Sequence, residues 1–242
     1  MLKKEIKREW YLNGNIKSQT TFVKNLKNGE ERLFYQNSKP KALNKYKNGK
    51  LNGLAIKYYY NGNVKSRVIY KNHKIHGVKQ IFNLDGEKVS SESFRHNRKS
   101  GSSFYFYPYG LVKMSLTYKN NKKNGISTVY HMDGSIQIQA EYKNGALHGN
   151  YKEWDNQGRI KKELIYSRGI MLGKCIEHVY MNKFSSNPIG LEKSTRTEVV
   201  SFFHKDGSKN LYFNFFDKDN NLMETRTINE NKYIVPHYDN QK

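Results

Sequence analysis

The sequence has very few residues that stiffen a chain covalently or by ring closure: one cysteine, Cys175, and four prolines among 242 residues. A lone cysteine excludes an intrachain disulfide and a metal site made of several cysteines. No apolar stretch approaches the roughly 18 residues of a transmembrane helix. The N-terminal residues turn polar at once, unlike a signal peptide. We expect a cytoplasmic protein with no cofactor and no metal site.

Acidic residues are scarce as well. The chain has 21 aspartates and glutamates and 43 lysines and arginines, which gives a formal net charge of +22. A compositional bias toward lysine explains a high lysine count, but not why acidic residues are half as common. Such a charge favours an anionic partner: a nucleic acid, an acidic protein or an anionic membrane surface. Hydrophobic residues make up 36% of the chain and aromatic residues 14%. We therefore expect a thin core built from tyrosine, phenylalanine and tryptophan.

The residues that are present repeat at an interval of 24. Seven glycines keep this interval: Gly29, Gly53, Gly77, Gly101, Gly125, Gly149 and Gly173. A second series has serine at one place: Gly14, Ser38, Gly62, Gly86, Gly110, Gly134 and Gly158. Two aromatic series share the interval: Trp10, Phe34, Tyr58, Phe82, Phe106, Tyr130 and Trp154, and Phe22, Tyr46, Tyr70, Phe94, Tyr118, Tyr142 and Tyr166. The glycines are expected at turns that need a positive φ or where an aromatic ring packs over bare backbone.

One repeat is clearest between Gly125 and His148. Residues 125–130 and 135–142 have the β-branched content and the alternation of strands, and Asp133-Gly134 between them suits a tight turn. The sequence thus predicts an all-β, elongated, single-layer antiparallel meander of about fourteen strands, in which each repeat is a β-hairpin. Residues 1–181 form this array. Residues 182–242 form a degenerate β cap.

The repeat resembles the MORN-repeat variant found in bacterial YwqK-like proteins. The resemblance rests on the Gly-x-x-x-x-aromatic strand, the Asp-Gly or Asn-Gly turn, and links such as residues 46–53 and 142–149. It implies a β-hairpin scaffold. Many such bacterial proteins are labelled antitoxins, and eukaryotic relatives serve as scaffolds or contact acidic lipids. Some relatives also have a SET methyltransferase domain, but no SET-like motif is present here.

Three repeats depart from the pattern. Residues 36–40 lack the turn glycine, so the tip of that hairpin is expected to differ. Residues 71–76 and 94–99 lack the Lys-Asn-Gly link. Either a partner recognises these places or they reflect sequence drift.

Catalytic motifs are absent from the sequence. No phosphate-binding loop and no Gly-x-Ser-x-Gly motif occurs. Asp85, Asp133 and Asp206 belong to Asp-Gly turns, and His76 and His148 share one link position, so turn and link structure explains all five. We expect a protein that is not an enzyme.

Lysines occupy one repeat position in five repeats: Lys17, Lys41, Lys65, Lys113 and Lys161. This lysine row has Val89 and Gln137 in the other two repeats. A second basic line follows the link turns: Lys47, Lys50, Lys71, Lys74, Lys119, Lys122, Lys123 and Lys143. These lysines either keep an open sheet soluble or form a track for phosphates. The lysine row, with Lys122 and Lys123, is the predicted anion-binding or nucleic-acid-binding site.

The densest aromatic run is near the C-terminus, at residues 211–216. Its residues form either the core of the cap or a docking patch. Because no charged side chain guards the run as an edge strand, a homodimer through residues 195–235 is expected. The predicted docking residues are Leu211, Tyr212, Phe213, Phe215 and Phe216.

Three functions remain open. The first is a binding scaffold for a nucleic acid or a nucleoprotein complex, as an accessory or inhibitory factor. The second is an antitoxin or immunity-like protein that neutralises an acidic protein. The third is a scaffold that binds anionic lipid.

Overall fold

A computed structural model describes residues 3–172, 174–180, 196–203, 209–229 and 234–237. The chain divides into two compact units, residues 1–125 and residues 126–242. The predicted boundary at residues 181 and 182 lies outside the described residues and stays a prediction.

The first unit is built from strands joined by short turns, with one 3-10 turn at Pro108–Gly110. Its strands are β1 (Lys4–Trp10), β2 (Ile16–Val23), β3 (Leu26–Phe34), β4 (Pro40–Lys47), β5 (Lys50–Leu51), β6 (Gly53–Tyr58), β7 (Val64–Lys71), β8 (Lys74–Phe82), β9 (Lys88–Arg95), β10 (Arg98–Phe106), β11 (Val112–Lys119) and β12 (Lys122–Lys123).

The second unit also consists of strands, the first of which starts at the boundary. They are β13 (Gly125–Tyr130), β14 (Ile136–Lys143), β15 (Ala146–Trp154), β16 (Ile160–Ser167), β17 (Ile170–Met171), β18 (Lys174–Tyr180), β19 (Arg196–Phe203), β20 (Lys209–Phe216), β21 (Leu222–Asn229) and β22 (Ile234–His237).

Within each unit the strands follow one another as antiparallel hairpins. Ser18 lies opposite Leu33 where β2 pairs with β3, and Tyr151 lies opposite Leu164 where β15 pairs with β16. The predicted all-β antiparallel meander is confirmed. Among the described residues no helix is long and apolar enough to cross a membrane.

Seven two-residue turns, which we call link turns, recur every 24 residues: 24–25, 48–49, 72–73, 96–97, 120–121, 144–145 and 168–169. The first residue of each has φ between 49° and 53°, and the second has φ between 59° and 94°. Both values match the type I′ turn that suits the twist of a hairpin. The departures from Lys-Asn-Gly therefore leave the turn unchanged, because asparagine and histidine also adopt this conformation.

Five-residue turns, which we call tip turns, connect the other strand ends. In the first, Tyr11 donates its backbone N–H to Asn15 at 2.8 Å, and Gly14 has a φ of 81°. The expectation of a different tip at residues 36–40 is wrong. Ser38 has a φ of 62° and donates its backbone N–H to Tyr35 at 3.0 Å, as glycine does elsewhere.

The seven-glycine series lies inside strands rather than at turns. The six that are described have φ between 97° and 119°, beside irregularities in strand register. A Cβ on Gly77 would lie 3.3 Å from Cβ of Ile69 on the neighbouring strand. The close neighbour is thus a cross-strand side chain instead of the aromatic ring that we expected. Gly173 lies outside the described residues.

The buried side chains lie mainly on one face of the strands and are small. Ala42, Ala55, Ser66 and Ser90 are each 7% exposed or less. Most residues of the aromatic series flank them and are half-buried. The prediction of a core built from aromatic rings is therefore wrong in composition, because small side chains fill its centre.

The C-terminal strands keep the same rules in residues 196–203 and 209–229. The turn at residues 217–221 repeats the tip-turn hydrogen bonds, with Asn220 at a φ of 64°. β20 pairs with β19 on one side and with β21 on the other. The expectation that residues 211–216 form an unguarded sheet edge is therefore wrong.

Candidate anion-binding surface

The positive charge is concentrated in the first unit. Residues 1–125 contain 27 lysines and arginines against 7 aspartates and glutamates, and residues 126–242 contain 16 against 14. The first unit thus has a net charge of +20 and the second of +2. Any surface that attracts anions through net charge belongs to the first unit.

The lysine row lies next to the tip turns, and its side chains are exposed. Three of its lysines stack on the tyrosine six residues earlier. The Nζ atom lies 5.8 Å from the Tyr35 ring centre for Lys41, 5.3 Å from Tyr59 for Lys65 and 5.4 Å from Tyr107 for Lys113. Such cation–π contacts fix a lysine over a ring.

The tyrosines are themselves held in place. The Tyr11 hydroxyl donates to the Phe34 carbonyl at 2.8 Å, and the Tyr35 hydroxyl donates to the Tyr58 carbonyl at 2.8 Å. Where the tyrosine is replaced by Asn83 or His131, the lysine is replaced as well, by Val89 or Gln137. The lysine row therefore follows the tyrosines, with one exception, Lys161.

Lys161 lies in the second unit, where Asp155 takes the tyrosine position and pairs with Arg159 at 2.8 Å. The structure thus places four members of the lysine row in one unit and the fifth in the other. The second basic line contributes Lys122, which is exposed, and Lys123, which is half-buried.

The link turns lie at the opposite ends of the strands. We call the link turns of the first unit, together with their flanking residues, the link edge: residues 23–28, 47–52, 71–76, 95–100 and 119–124. These 30 positions include no acidic residue. They include 12 cations: Lys24, Lys27, Lys47, Lys50, Lys71, Lys74, Arg95, Arg98, Lys99, Lys119, Lys122 and Lys123. The link edge is therefore strongly basic, with no acidic residue to offset its cations.

Neighbouring link turns are fastened to each other across the repeats. Asn97 donates its backbone N–H to the Ile75 carbonyl at 2.9 Å and accepts the Ile75 N–H on its side-chain oxygen at 2.6 Å. Asn121 makes the same pair of bonds to Lys99, at 2.9 and 2.7 Å.

His73 makes an equivalent pair of bonds to Leu51. Its backbone N–H donates to the Leu51 carbonyl at 2.9 Å, and its Nδ1 accepts the Leu51 N–H at 3.1 Å. At Gly49 only the backbone bond, to Lys27, remains. The departures from glycine in the links therefore have a structural role, since they add a side-chain bond between repeats. Sequence reasoning had offered only partner recognition or drift.

A histidine pair lies on this edge, with the His76 and His96 ring centres 4.8 Å apart. Desolvation and then the charges of His76, Lys74 and Arg95 hold the pKa of His96 below its ordinary value. The positive surroundings of His96 thus add to the effect of desolvation. Within the described residues, no group of three or more histidine, cysteine, aspartate or glutamate side chains could hold a metal ion.

Two buried carboxylates lie on the inner face of the first unit, and sequence reasoning missed both. Glu31 is 6% exposed and bonds to Lys27, to Asn44 at 2.7 Å and to the Tyr46 hydroxyl at 3.3 Å. Burial alone would raise the pKa of Glu31, but the bonds from Lys27 and Asn44 outweigh it and hold the pKa below its ordinary value.

Glu92 forms the second cluster and is 7% exposed. It bonds to Lys99 and accepts the Tyr105 hydroxyl at 2.7 Å. Burial opposes the charged form here as well, but Lys99 and Tyr105 hold the pKa of Glu92 down. Glu31 lies opposite Thr20 and Glu92 lies opposite Ser103, which is the same cross-strand pair with the acid on the other strand. Because the acid lies on different strands in the two pairs, Glu31 and Glu92 do not share a position in the 24-residue repeat.

The tip turns of the first unit expose large apolar or aromatic side chains. Leu12 is fully exposed, Tyr109 is 94% exposed, and Tyr60 and Leu84 are 60% and 59% exposed. The link edge has one comparable side chain, Leu26, among its described residues. The two ends of the strands thus differ in chemistry.

The predicted docking residues of the C-terminal region are mostly covered. Phe215 is fully buried and lies under the Arg226 guanidinium, and Arg196 lies 3.9 Å from the Phe216 ring centre. Leu211, Tyr212 and Phe213 are half-buried. These contacts favour the core interpretation. The homodimer stays a prediction.

Three segments of the chain match the family model of the MORN repeat variant: residues 6–24, 51–72 and 123–144. Each segment is a strand, a tip turn and a strand, and each ends at the first residue of a link turn. No curated protein sequence matches the chain. MORN repeats in general form scaffolds that bind proteins or membrane lipids.

Proposed function

We propose that the protein is a binding scaffold whose first unit, residues 1–125, binds a nucleic acid or a nucleoprotein complex as an accessory or inhibitory factor. The main observation in support is that this unit has a net charge of +20, whereas residues 126–242 have a net charge of +2. A composition bias of the whole chain predicts similar charge in both units.

Nucleic acid suits this surface better than an acidic protein does. A phosphate backbone presents charge at regular, short intervals, and a repeat presents lysines at regular intervals. Successive repeats add two strands, or roughly 10 Å, which is about three base pairs of a duplex. An acidic protein, the partner of an antitoxin-like factor, has no reason to match this spacing.

A second candidate, an anionic lipid surface, is favoured by the exposed Leu12, Tyr60, Leu84 and Tyr109 at the tip turns. Apolar and tyrosine side chains beside lysines suit a membrane interface. This candidate places the contact at the tip turns rather than at the link edge.

The test is binding of the full-length protein to fluorescent single-stranded and duplex oligonucleotides, and to vesicles with and without phosphatidylserine. We expect oligonucleotide binding whose affinity falls by about 0.7–0.9 log units per phosphate contact for each tenfold rise in salt. We also expect material from the native host to have excess absorbance at 260 nm that high salt removes. Flotation with anionic vesicles and no oligonucleotide binding would replace this proposal with the lipid candidate. A salt-resistant complex with an acidic protein would replace it with the antitoxin-like one.

A further inference from the structure

Nine cations of the link edge have no anionic partner in the described part of the chain: Lys24, Lys47, Lys50, Lys71, Lys74, Arg95, Arg98, Lys119 and Lys122. All nine are exposed. The lysine row differs, because three of its members are stacked on tyrosines. The nine cations of the link edge are thus less engaged within the protein than the three stacked lysines are.

Three of these cations line a cleft between two successive link turns. The cleft, of about 500 Å³, is lined by Lys47, Asn48, Lys50, Asn52, Lys71 and Asn72. Its walls supply three ammonium groups and three side-chain amides, and no carboxylate. Ammonium and amide N–H groups are the donors that a phosphate oxygen accepts from.

The positions that follow one repeat later are also basic, with Lys71, Lys74 and Arg95 in the places of Lys47, Lys50 and Lys71. One repeat further on, Arg95, Arg98 and Lys119 take these places. The backbone of the edge is held in advance by the bonds of His73, Asn97 and Asn121 to the preceding link. Little conformational entropy of the backbone is therefore lost when a ligand binds.

We propose that the link edge is a row of phosphate sites that binds a nucleic-acid backbone, one site for each repeat. This inference rests on the proposed function and locates it. It also moves the contact away from the lysine row, so that Lys122 and Lys123 are the members of the predicted site that lie in it. The five link turns of the link edge are polar and contain asparagine, histidine, glycine and lysine. This composition suits a solvated phosphate chain better than a lipid surface.

The experiment compares two triple variants of the full-length protein with the same change in charge. The first is Lys50→Glu, Lys74→Glu and Arg98→Glu, on the link edge. The matched control is Lys41→Glu, Lys65→Glu and Lys113→Glu, on the lysine row. Binding to a labelled oligonucleotide long enough to span five repeats is measured by fluorescence anisotropy from about 50 to about 300 mM salt.

We expect the link-edge triple to weaken binding by at least about 30-fold and to reduce the salt slope by about 2–3, since roughly three phosphate contacts are lost. The control should weaken binding less than about threefold with the slope almost unchanged. Equal losses in the two triples, or a larger loss in the control, would overturn the inference but leave nucleic-acid binding intact. A wild-type protein that binds no oligonucleotide would overturn the proposed function as well.

Circular dichroism and thermal melting establish that both triples are folded. If the glutamates unfold the link-edge triple, Lys50→Gln, Lys74→Gln and Arg98→Gln replaces it, against glutamines on the lysine row. The same ordering of the two losses is then expected, and its reversal counts against the inference.

Discussion

The cleft lined by Lys47, Lys50 and Lys71 in residues 1–125 has a counterpart in residues 126–242, displaced by four repeats. There Lys143, Ala146 and Ser167 take the same positions, Arg168 takes the place of Asn72, and the cleft volume is nearly the same, about 470 Å³. The backbone of the two units is therefore alike at this place, whereas the cations fall from three to two in the cleft and the net charge falls from +20 to +2 in the units. Turn residues with positive φ maintain the shape, so the exposed positions are free to vary. Function should follow the charge rather than the shape.

The shared backbone gives the largest expected change in stability. Gly101→Val and Gly149→Val should each lower the free energy of unfolding by about 1–3 kcal/mol, because both positions have φ near 100° and a close cross-strand neighbour. Ser102→Val, which places the same side chain at the next exposed position, should cost little. Denaturant unfolding measures all three. A strong effect in one unit alone would show that the two units do not have the same backbone requirement at this glycine.

Acid should remove the stabilisation that the two buried carboxylates of the first unit provide. The pKa values of Glu31 and Glu92 are lowered on folding, so their stabilisation is complete above about pH 4.5 and is lost as the pH falls through the folded values. At neutral pH, Glu92→Gln should cost about 1–2 kcal/mol through its lost charged hydrogen bonds. The Glu31→Gln, Glu92→Gln double variant should flatten the loss of stability below pH 4.5, measured by thermal melting. An unchanged acid limb would show that these clusters are not its source.

The side-chain hydrogen bond between link turns can be removed in the first unit and introduced in the second. Asn121→Gly keeps the positive φ and removes the side-chain bond to Lys99, so it should destabilise the protein by about 1 kcal/mol. Gly169 makes only the backbone bond to Leu147. Gly169→Asn should supply the missing bond and stabilise the protein by up to about 1 kcal/mol. Thermal melts of both variants test this, and changes of the same sign in both would contradict it.

The smallest expected effect concerns the stacked lysines. Lys65→Ala should cost about 0.5 kcal/mol, because the ammonium leaves the Tyr59 ring. Lys161→Ala is the matched variant in the other unit, where Asp155 replaces the tyrosine, and it should cost less. Chemical denaturation of the pair, repeated in a Tyr59→Leu background, separates stacking from charge. Equal costs in both backgrounds would remove the stacking explanation.

The architecture was predictable because the 24-residue interval fixes both the turns and the direction of the strands. The tip at Ser38 was not predicted correctly, since a missing glycine was assumed to change a turn that serine also tolerates. The lysine row was found by spacing, but its stacking on tyrosines depends on how a five-residue turn folds back.

The remaining features of the site needed coordinates. Asn97 and Asn121 bond across neighbouring repeats, over more than 20 residues of sequence. Glu31 and Glu92 occupy different repeat positions and come to equivalent places only when the strands pair. The interval alone shows neither relation.

The central claim is that the anionic partner contacts the link edge of residues 1–125. Lysine acetylation of the full-length protein, with and without a saturating oligonucleotide and followed by mass spectrometry, tests it most directly. We predict protection of Lys47, Lys50, Lys71, Lys74, Lys119 and Lys122, with Lys41, Lys65, Lys113, Lys143, Lys152 and Lys161 modified as before. Protection spread evenly over both units, or confined to the lysine row, would contradict the account.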